Sequence, residues 1–328
     1  MTDVAQGPRV VPESGLPTRV TVYEVGPRDG LQAETDIIPS AVKVELCRRL
    51  YAAGVRDLEI TSFVPPTWIP QLADAADVAA NVTVPPGARG VALVPNLRGL
   101  ERAVAAGVRE AAVVVSATES FAQANLNTTR ERAVERAVEV IAAASASGIR
   151  VRGYVSMSFG DPWEGAVDFA VVADTAARLR QAGCRTVVLG DTIGVATPGL
   201  TTRVVQETRS AGVPLEDLAL HLHDTYGQAL ANVHAALRLG VAEFDAAVGG
   251  LGRCPYARGA TGNLATEDLV WMLHGLGIDT GLDVRALAAT TRWLSRIRGV
   301  RAPSNVAAAL AAAGIDAAEP HEQEAWLA

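Results

Sequence analysis

Val20-Thr21-Val22-Tyr23-Glu24-Val25-Gly26-Pro27-Arg28-Asp29-Gly30 is the stretch on which the fold turns. The β-branched run Val20–Val25 reads as a strand. A doubly wound α/β sheet normally follows its first strand with a glycine-rich phosphate-binding turn. Here Gly26-Pro27-Arg28-Asp29-Gly30 follows instead, so a guanidinium and a carboxylate stand where the strand hands over to a loop. Polar chemistry at the carboxyl end of an apolar strand is the pattern of a (β/α)8 TIM barrel.

Working outward, the same strand-then-helix unit recurs. Strands are expected at Val20–Val25, Asp57–Thr61, Gly90–Val94, Ala111–Ser116, Val151–Ser156, Thr186–Leu189, Leu218–His223 and Glu243–Ala247. Helical patterns lie between them at Ala41–Ala53, Pro70–Asn81, Leu97–Ala106, Arg130–Ser147, Ala166–Ala182, Thr201–Ala211 and Gln228–Leu239. Gly54, Gly107, Gly148, Gly183, Gly212 and Gly240 are placed to cap helices in the left-handed conformation. Strict alternation requires parallel strands joined by crossovers, and strands buried on both faces read as apolar runs. Eight such strands close a barrel. Three further helical stretches follow, around Leu264–Leu276, Val284–Ile297 and Asn305–Ala313. The expected organisation is therefore a flexible lead-in over 1–17, a catalytic (β/α)8 barrel over 18–283, and additional C-terminal helices over 284–328 packed on it.

Composition narrows the function classes. The 328 residues are 49 % hydrophobic and 20 % charged, with a net charge of −7. That is enough apolar material for one large core, and an acidic chain is a poor candidate for nucleic-acid binding. No apolar run is long enough to span a bilayer. Three cysteines, Cys47, Cys184 and Cys254, show no paired spacing, which points to a reducing, cytoplasmic setting. Lys43 is the only lysine, a bias read as coding preference.

The strand ends carry the chemistry. Arg28 and Asp29 close strand 1, Glu59 and Ser62 belong to strand 2, Tyr154 and Ser156 to strand 5, and Asp191 and Thr192 to strand 6. Strand 7 ends in His221-Leu222-His223-Asp224, and strand 8 leads into the glycine-rich run from Gly249 to Asn263. Residues i and i+2 of a strand share a face, so His221 and His223 can reach one cation. With Asp29, and Asn263 as a fourth candidate, they make a mixed O/N set free of thiolate. Such a set suits Mg²⁺ or Mn²⁺ better than structural zinc, although Zn²⁺, Co²⁺ and Fe²⁺ stay open on ligand type alone. Arg28 reads as a forked cation able to stabilise an oxyanion or enolate, or else as a barrel-rim ion pair. Cys254, among glycines, is either a proton-transfer thiol or a plain free thiol. Cys47 and Cys184 read as core, and His234, His274 and His321 as structural or solvated.

Six longer motifs carry a resemblance: VYEVGPRDGLQAE, LEITSFVPPTWIPQLADA, VRGYVSMSFGDPWEG, LGDTIGVATPG, LHLHDTYGQALANVHAAL and GLGRCPYARGATGNLATEDLV. In this order they resemble the 3-hydroxy-3-methylglutaryl-coenzyme A lyase family of the metal-dependent aldolase/Claisen-type barrels, over roughly Val20 to Val284. The resemblance implies cleavage of an acyl-coenzyme A substrate to acetyl-coenzyme A and a ketone, as in leucine breakdown. It implies Asp29, His221, His223 and Asn263 as metal ligands, and Arg28, Asp29, Glu59, His221 and Cys254 as catalytic residues. Arg28, Gln32, Tyr154 and Thr192 are then expected against the substrate. It further implies a homodimer or larger homo-oligomer. Arg253 departs from the family, which commonly has a second glycine before the cysteine. Two other reactions compete: a paralogous lyase acting on a longer-branched 3-hydroxyacyl-coenzyme A, and a Claisen-condensing acyltransferase, from which the cysteine-bearing loop points away. A non-enzymatic barrel would leave the whole ligand set unused.

Overall fold

The computed structural model describes residues 7–252 and 262–314. Eight parallel strands close into a barrel in chain order: β1 (Thr21–Glu24), β2 (Asp57–Ser62), β3 (Arg89–Leu93), β4 (Glu110–Ser116), β5 (Arg150–Ser156), β6 (Thr186–Asp191), β7 (Leu218–Leu222) and β8 (Glu243–Ala246). Closure is made by β1 against β8, in register from Thr21 opposite Glu243 to Glu24 opposite Ala246. The barrel read from the sequence is the fold.

Around it run α1 (Ser40–Ala52), α2 (Ala75–Asn81), α3 (Leu97–Ala105), α4 (Glu119–Leu126), α5 (Arg130–Ala146), α6 (Phe169–Ala182), α7 (Pro198–Ser210) and α8 (Ala229–Leu237). Beyond β8 come α9 (Thr266–Gly275), α10 (Val284–Arg298) and α11 (Asn305–Ala312). Helices α10 and α11 lie on one another and on α9, and α10 also packs against α1, burying Leu287, Trp293 and Leu294. The six cap glycines all take positive φ, from 68° at Gly148 to 114° at Gly183. No helix among the described residues is long and apolar enough to cross a membrane.

Three local features differ from the sequence reading. The expected helix Pro70–Asn81 is broken into a short 3-10 turn, Pro70–Leu72, and α2. Its cause is Lys43: the buried ammonium of α1 donates to the Gln71 carbonyl and pairs with Asp74 at 2.8 Å, holding the 70–74 segment off a continuous helical path. The Gln71 side chain accepts from the Ile38 amide at 2.9 Å and donates to the Asp36 carbonyl at 2.7 Å, so the sole lysine braces the loop after β1. Helix α4, unforeseen, fits into the β4–α5 connection by burying Phe121 and Ala122 and stopping at Asn127 in the left-handed conformation. Finally, the described part of the expected flexible lead-in is anchored. The Val11 amide donates to the Gly275 carbonyl at 2.8 Å, and the Glu13 carboxylate meets His234 and Arg238 of the α8 region at 2.9 and 2.6 Å.

The barrel lumen is polar. Arg152 of β5 forms ion pairs with Glu243 and Asp245 of β8. These strands are not neighbours in the closed order, so the contact crosses the lumen. The guanidinium lies 3.8 Å from the Tyr23 ring centroid and 5.2 Å from that of Tyr154.

Candidate active site and metal centre

Gly26–Gly30 leaves β1 as a single π-type turn, with the Arg28 and Gly30 amides both donating to the Val25 carbonyl. Such turns concentrate at functional sites because they aim consecutive side chains unusually. Here they turn Arg28 and Asp29 over the mouth of the barrel. Glu24 anchors the turn from beneath: its Oε1 accepts from the Gly26 and Val248 amides at 2.8 and 2.9 Å, and its Oε2 from the Thr266 hydroxyl at 2.6 Å.

Arg28 is gripped on two sides. Its Nε and Nη2 lie 2.8 and 2.7 Å from Glu59 Oε2, and its Nη1 lies 2.8 Å from Asp29 Oδ1. Gln32 Oε1 accepts a longer bond from Nη1 at 3.5 Å. Burial works against the charged guanidinium, but the Glu59 and Asp29 charges outweigh it and raise the pKa further. Glu59 is wholly buried; desolvation pushes its pKa up against the pull of Arg28, and its Oε1 has no partner among the described residues. The guanidinium is thus a rigid, permanently charged fork.

Asp29, His221 and His223 each place one donor atom within 4.8 Å of the others. Burial raises the Asp29 pKa, yet Arg28 and the two imidazoles more than reverse that and hold it well below the usual carboxylate range. His223 is pushed down to about 4 by burial and by the charge of His221. It is therefore a free base at neutral pH, as a metal ligand must be. At His221 desolvation lowers the pKa, while the Asp245 hydrogen bond and charge, with Asp29, raise it to a net increase.

Asn263 completes the group. His223, one residue beyond β7, bridges to Asn263. The Asn263 amide donates to Asp29 Oδ2 at 2.8 Å and to the Leu251 carbonyl at 2.9 Å, so both hydrogens are committed. Its Oδ1 and the Nδ1 of His223 are buried with no partner among the described residues. Buried polar atoms without a partner are costly, and a divalent cation held at this cluster would relieve that cost for a mixed O/N donor set. The residues present fit such an ion. Close approach fixes the frame, since a Cβ added at Gly252 would lie 2.5 Å from the Asn263 amide nitrogen and one at Gly262 2.1 Å from the Gly252 carbonyl oxygen.

The structure thus gathers Arg28, Asp29, Glu59, His221, His223, Asn263 and, at the rim, Gln32. Thr192 is half-buried and accepts from the Met157 amide at 2.9 Å. Tyr154 sits deeper than expected for a substrate contact, with its hydroxyl donated to Asp245 Oδ2 at 2.9 Å and accepting from Arg152. Asp191 braces the loop after β6, accepting from the Val195 and Ala196 amides at 2.9 and 3.0 Å. Cys254 lies outside the described residues; Cys47 and Cys184 are buried, and burial pushes both thiols up, as core cysteines. Asp245 was missed from sequence. Its signal was a buried-position carboxylate in the strand Glu243-Phe244-Asp245-Ala246, matched by an arginine, Arg152, inside β5.

Known proteins share this arrangement of strands and motifs. The "HMGL-like" family model matches residues 19–294. The chain is 48 % identical over 297 residues to the "3-hydroxy-3-isohexenylglutaryl-CoA/hydroxy-methylglutaryl-CoA lyase" of Pseudomonas aeruginosa, covering 90 % of this chain and 99 % of that one. It is 48 % identical over 298 residues to the mitochondrial hydroxymethylglutaryl-CoA lyase of Rattus norvegicus, covering 90 % of each. A crystal structure of hydroxymethylglutaryl-CoA lyase from P. aeruginosa superposes with a TM-score of 0.89 over 91 % of this chain and 99 % of that one, at 48 % identity. With its barrel and strand-end motifs in common with these carbon–carbon lyases, the chain belongs to the HMGL-like family.

Proposed function

We propose that the protein cleaves the C2–C3 bond of 3-hydroxy-3-methylglutaryl-coenzyme A, releasing acetyl-coenzyme A and acetoacetate. The observation that carries this is the Arg28 fork set directly beside the Asp29–His221–His223 cluster. Cleavage must remove the C3 hydroxyl proton, let the C2–C3 electron pair pass to C2 as a thioester enolate, and return a proton to C2. A divalent ion, Mg²⁺ or Mn²⁺ by donor type, held by Asp29, His221, His223 and Asn263, would acidify and orient that hydroxyl. The candidate proton acceptors are His221 and Asp29, and either could serve only through an atom not bound to the ion. Arg28 offsets the enolate charge at the thioester oxygen. Glu59 keeps the guanidinium aimed, and Gln32 and Thr192 stand at the rim to meet the acyl group. Cys254 protonates C2.

The test is acetyl-coenzyme A release from the named substrate by metal-stripped protein refilled with Mg²⁺ or Mn²⁺. Metal-dependent turnover is expected; a metal-loaded protein with no turnover on this substrate would overturn the reading. The name of the P. aeruginosa relative favours a second substrate, the isohexenyl analogue, to be run in the same assay.

Two variants separate ligand from proton donor. His223→Ala is expected to weaken Mn²⁺ binding by about 100-fold, at the upper end of what even outer partners contribute. It should fold normally, because His223 Nδ1 has no hydrogen bond to lose among the described residues; free-Mn²⁺ titration checks it, and wild-type affinity would remove His223 from the ligand set. Cys254→Ser is expected to lower kcat with KM little changed, since a hydroxyl is a far weaker proton donor than a thiol. Full activity would exclude the thiol.

A further inference from the structure

We propose that Asp245, clamped across the barrel lumen by Arg152 and Tyr154, is the positioning residue that selects which nitrogen of His221 faces the metal centre. This rests on the reading of Asp29, His221 and His223 as metal ligands, and extends it to residues that reading does not use.

Asp245 lies on β8, is 1 % exposed, and spends both oxygens in a defined way. Its Oδ1 is paired with Arg152 Nη2, while its Oδ2 receives the Tyr154 hydroxyl at 2.9 Å and stands 3.1 Å from His221 Nδ1. Arg152 cannot turn away, since its other amino group holds Glu243 and its face covers the Tyr23 ring. A carboxylate can only accept, so the proton of a neutral His221 is placed on Nδ1. The lone pair is then on Nε2, which points out of the lumen toward Asp29 Oδ2, 3.9 Å away. The Tyr154 ring meets the imidazole edge-on, with centroids 6.1 Å apart and planes at 82°, which fixes its rotation. Metal-bound histidines are generally oriented by such a partner on the second nitrogen, and loss of that partner costs about 10–100-fold in metal affinity.

Asp245→Asn is the discriminating variant. Arg152 is a pure donor and will keep the amide oxygen on its own side. The amide NH2 is thereby turned toward His221 Nδ1, the imidazole must accept there, and its proton is driven onto Nε2, where the metal should bind. Expected, by titration of metal-stripped protein with Mn²⁺ and detection of the free ion, is about a 10–100-fold loss of affinity with unchanged circular dichroism. A folded Asp245→Asn protein with wild-type affinity would overturn the inference while leaving the metal centre intact. Wild-type protein that binds no Mn²⁺ would overturn the metal centre and this inference with it. Should the variant not fold, nitrogen-15 NMR of His221 in metal-free wild-type protein at alkaline pH decides: a proton on Nδ1 is expected, and a proton on Nε2 refutes the assignment.

Discussion

Arg28→Lys is expected to lower kcat by about 10²–10³-fold while leaving Mn²⁺ affinity nearly unchanged. The magnitude is that of removing one preorganised donor from a developing oxyanion. The guanidinium spends Nε and one N–H of Nη2 on Glu59 and Nη1 on Asp29 and, at 3.5 Å, Gln32, which leaves the second N–H of Nη2 to offer a substrate oxygen. An ammonium is a point charge with three donors on a flexible stem. It can satisfy Glu59 or reach the substrate, but cannot hold both carboxylates and aim a third bond. Lysine is preferred to methionine for the test because an apolar side chain would strand the buried Glu59 carboxylate. Breaking a buried pair in that way typically costs about 3–5 kcal/mol and would confuse misfolding with lost catalysis. Steady-state kinetics beside a metal titration check the expectation. A kcat within about tenfold of wild type would remove the fork from the transition state and leave Arg28 as a rim ion pair.

The frame of this site was readable from sequence because its signals are local. Most strand–helix units announce themselves by an apolar run and a cap glycine, and Arg28, Asp29, His221 and His223 sit at strand ends that periodicity locates, while Asn263 closes the glycine-rich run after β8. What escaped depends on contacts distant in the chain. Asp245 meets His221 only because β7 and β8 are paired, and Arg152 meets Asp245 only because a closed barrel faces β5 toward β8. Tyr154 was placed on the substrate by likeness, whereas the fold turns its hydroxyl down into that network. The break at 70–74 likewise follows from a lysine about thirty positions away. The chain pattern shows where a polar residue interrupts an apolar strand, but only the closed sheet says what it meets.

Glu24 illustrates the same point and yields the second large effect. A glutamate within β1 reads as a strand polar position, yet it is fully buried and stitches together three elements: the Gly26 turn, the Val248 amide after β8 and Thr266 of α9. Glu267 lies close by, accepting from the Gly249 amide and from Thr291. Desolvation raises Glu24 from 4.5 to about 7, against the pull of its hydrogen bonds and with a further push from Glu267. The folded protein therefore holds this proton more tightly than the unfolded chain does. Stability falls as pH climbs from the unfolded value of 4.5 and levels off only above about 7. A carboxyl displaced that far costs about 3 kcal/mol once fully ionised. Glu24→Gln should escape the cost without losing a bond, since the amide oxygen can accept from Gly26 and Val248 while the NH2 donates to the Thr266 hydroxyl oxygen. At pH 8 the variant is accordingly expected to be more stable than wild type by about 3 kcal/mol, and at pH 4 to match it. Denaturant unfolding at the two pH values measures this directly. Equal or lower stability of Glu24→Gln at pH 8 would mean that the ionised carboxylate is favourable where it sits, and that the amides of Gly26 and Val248 outweigh its desolvation.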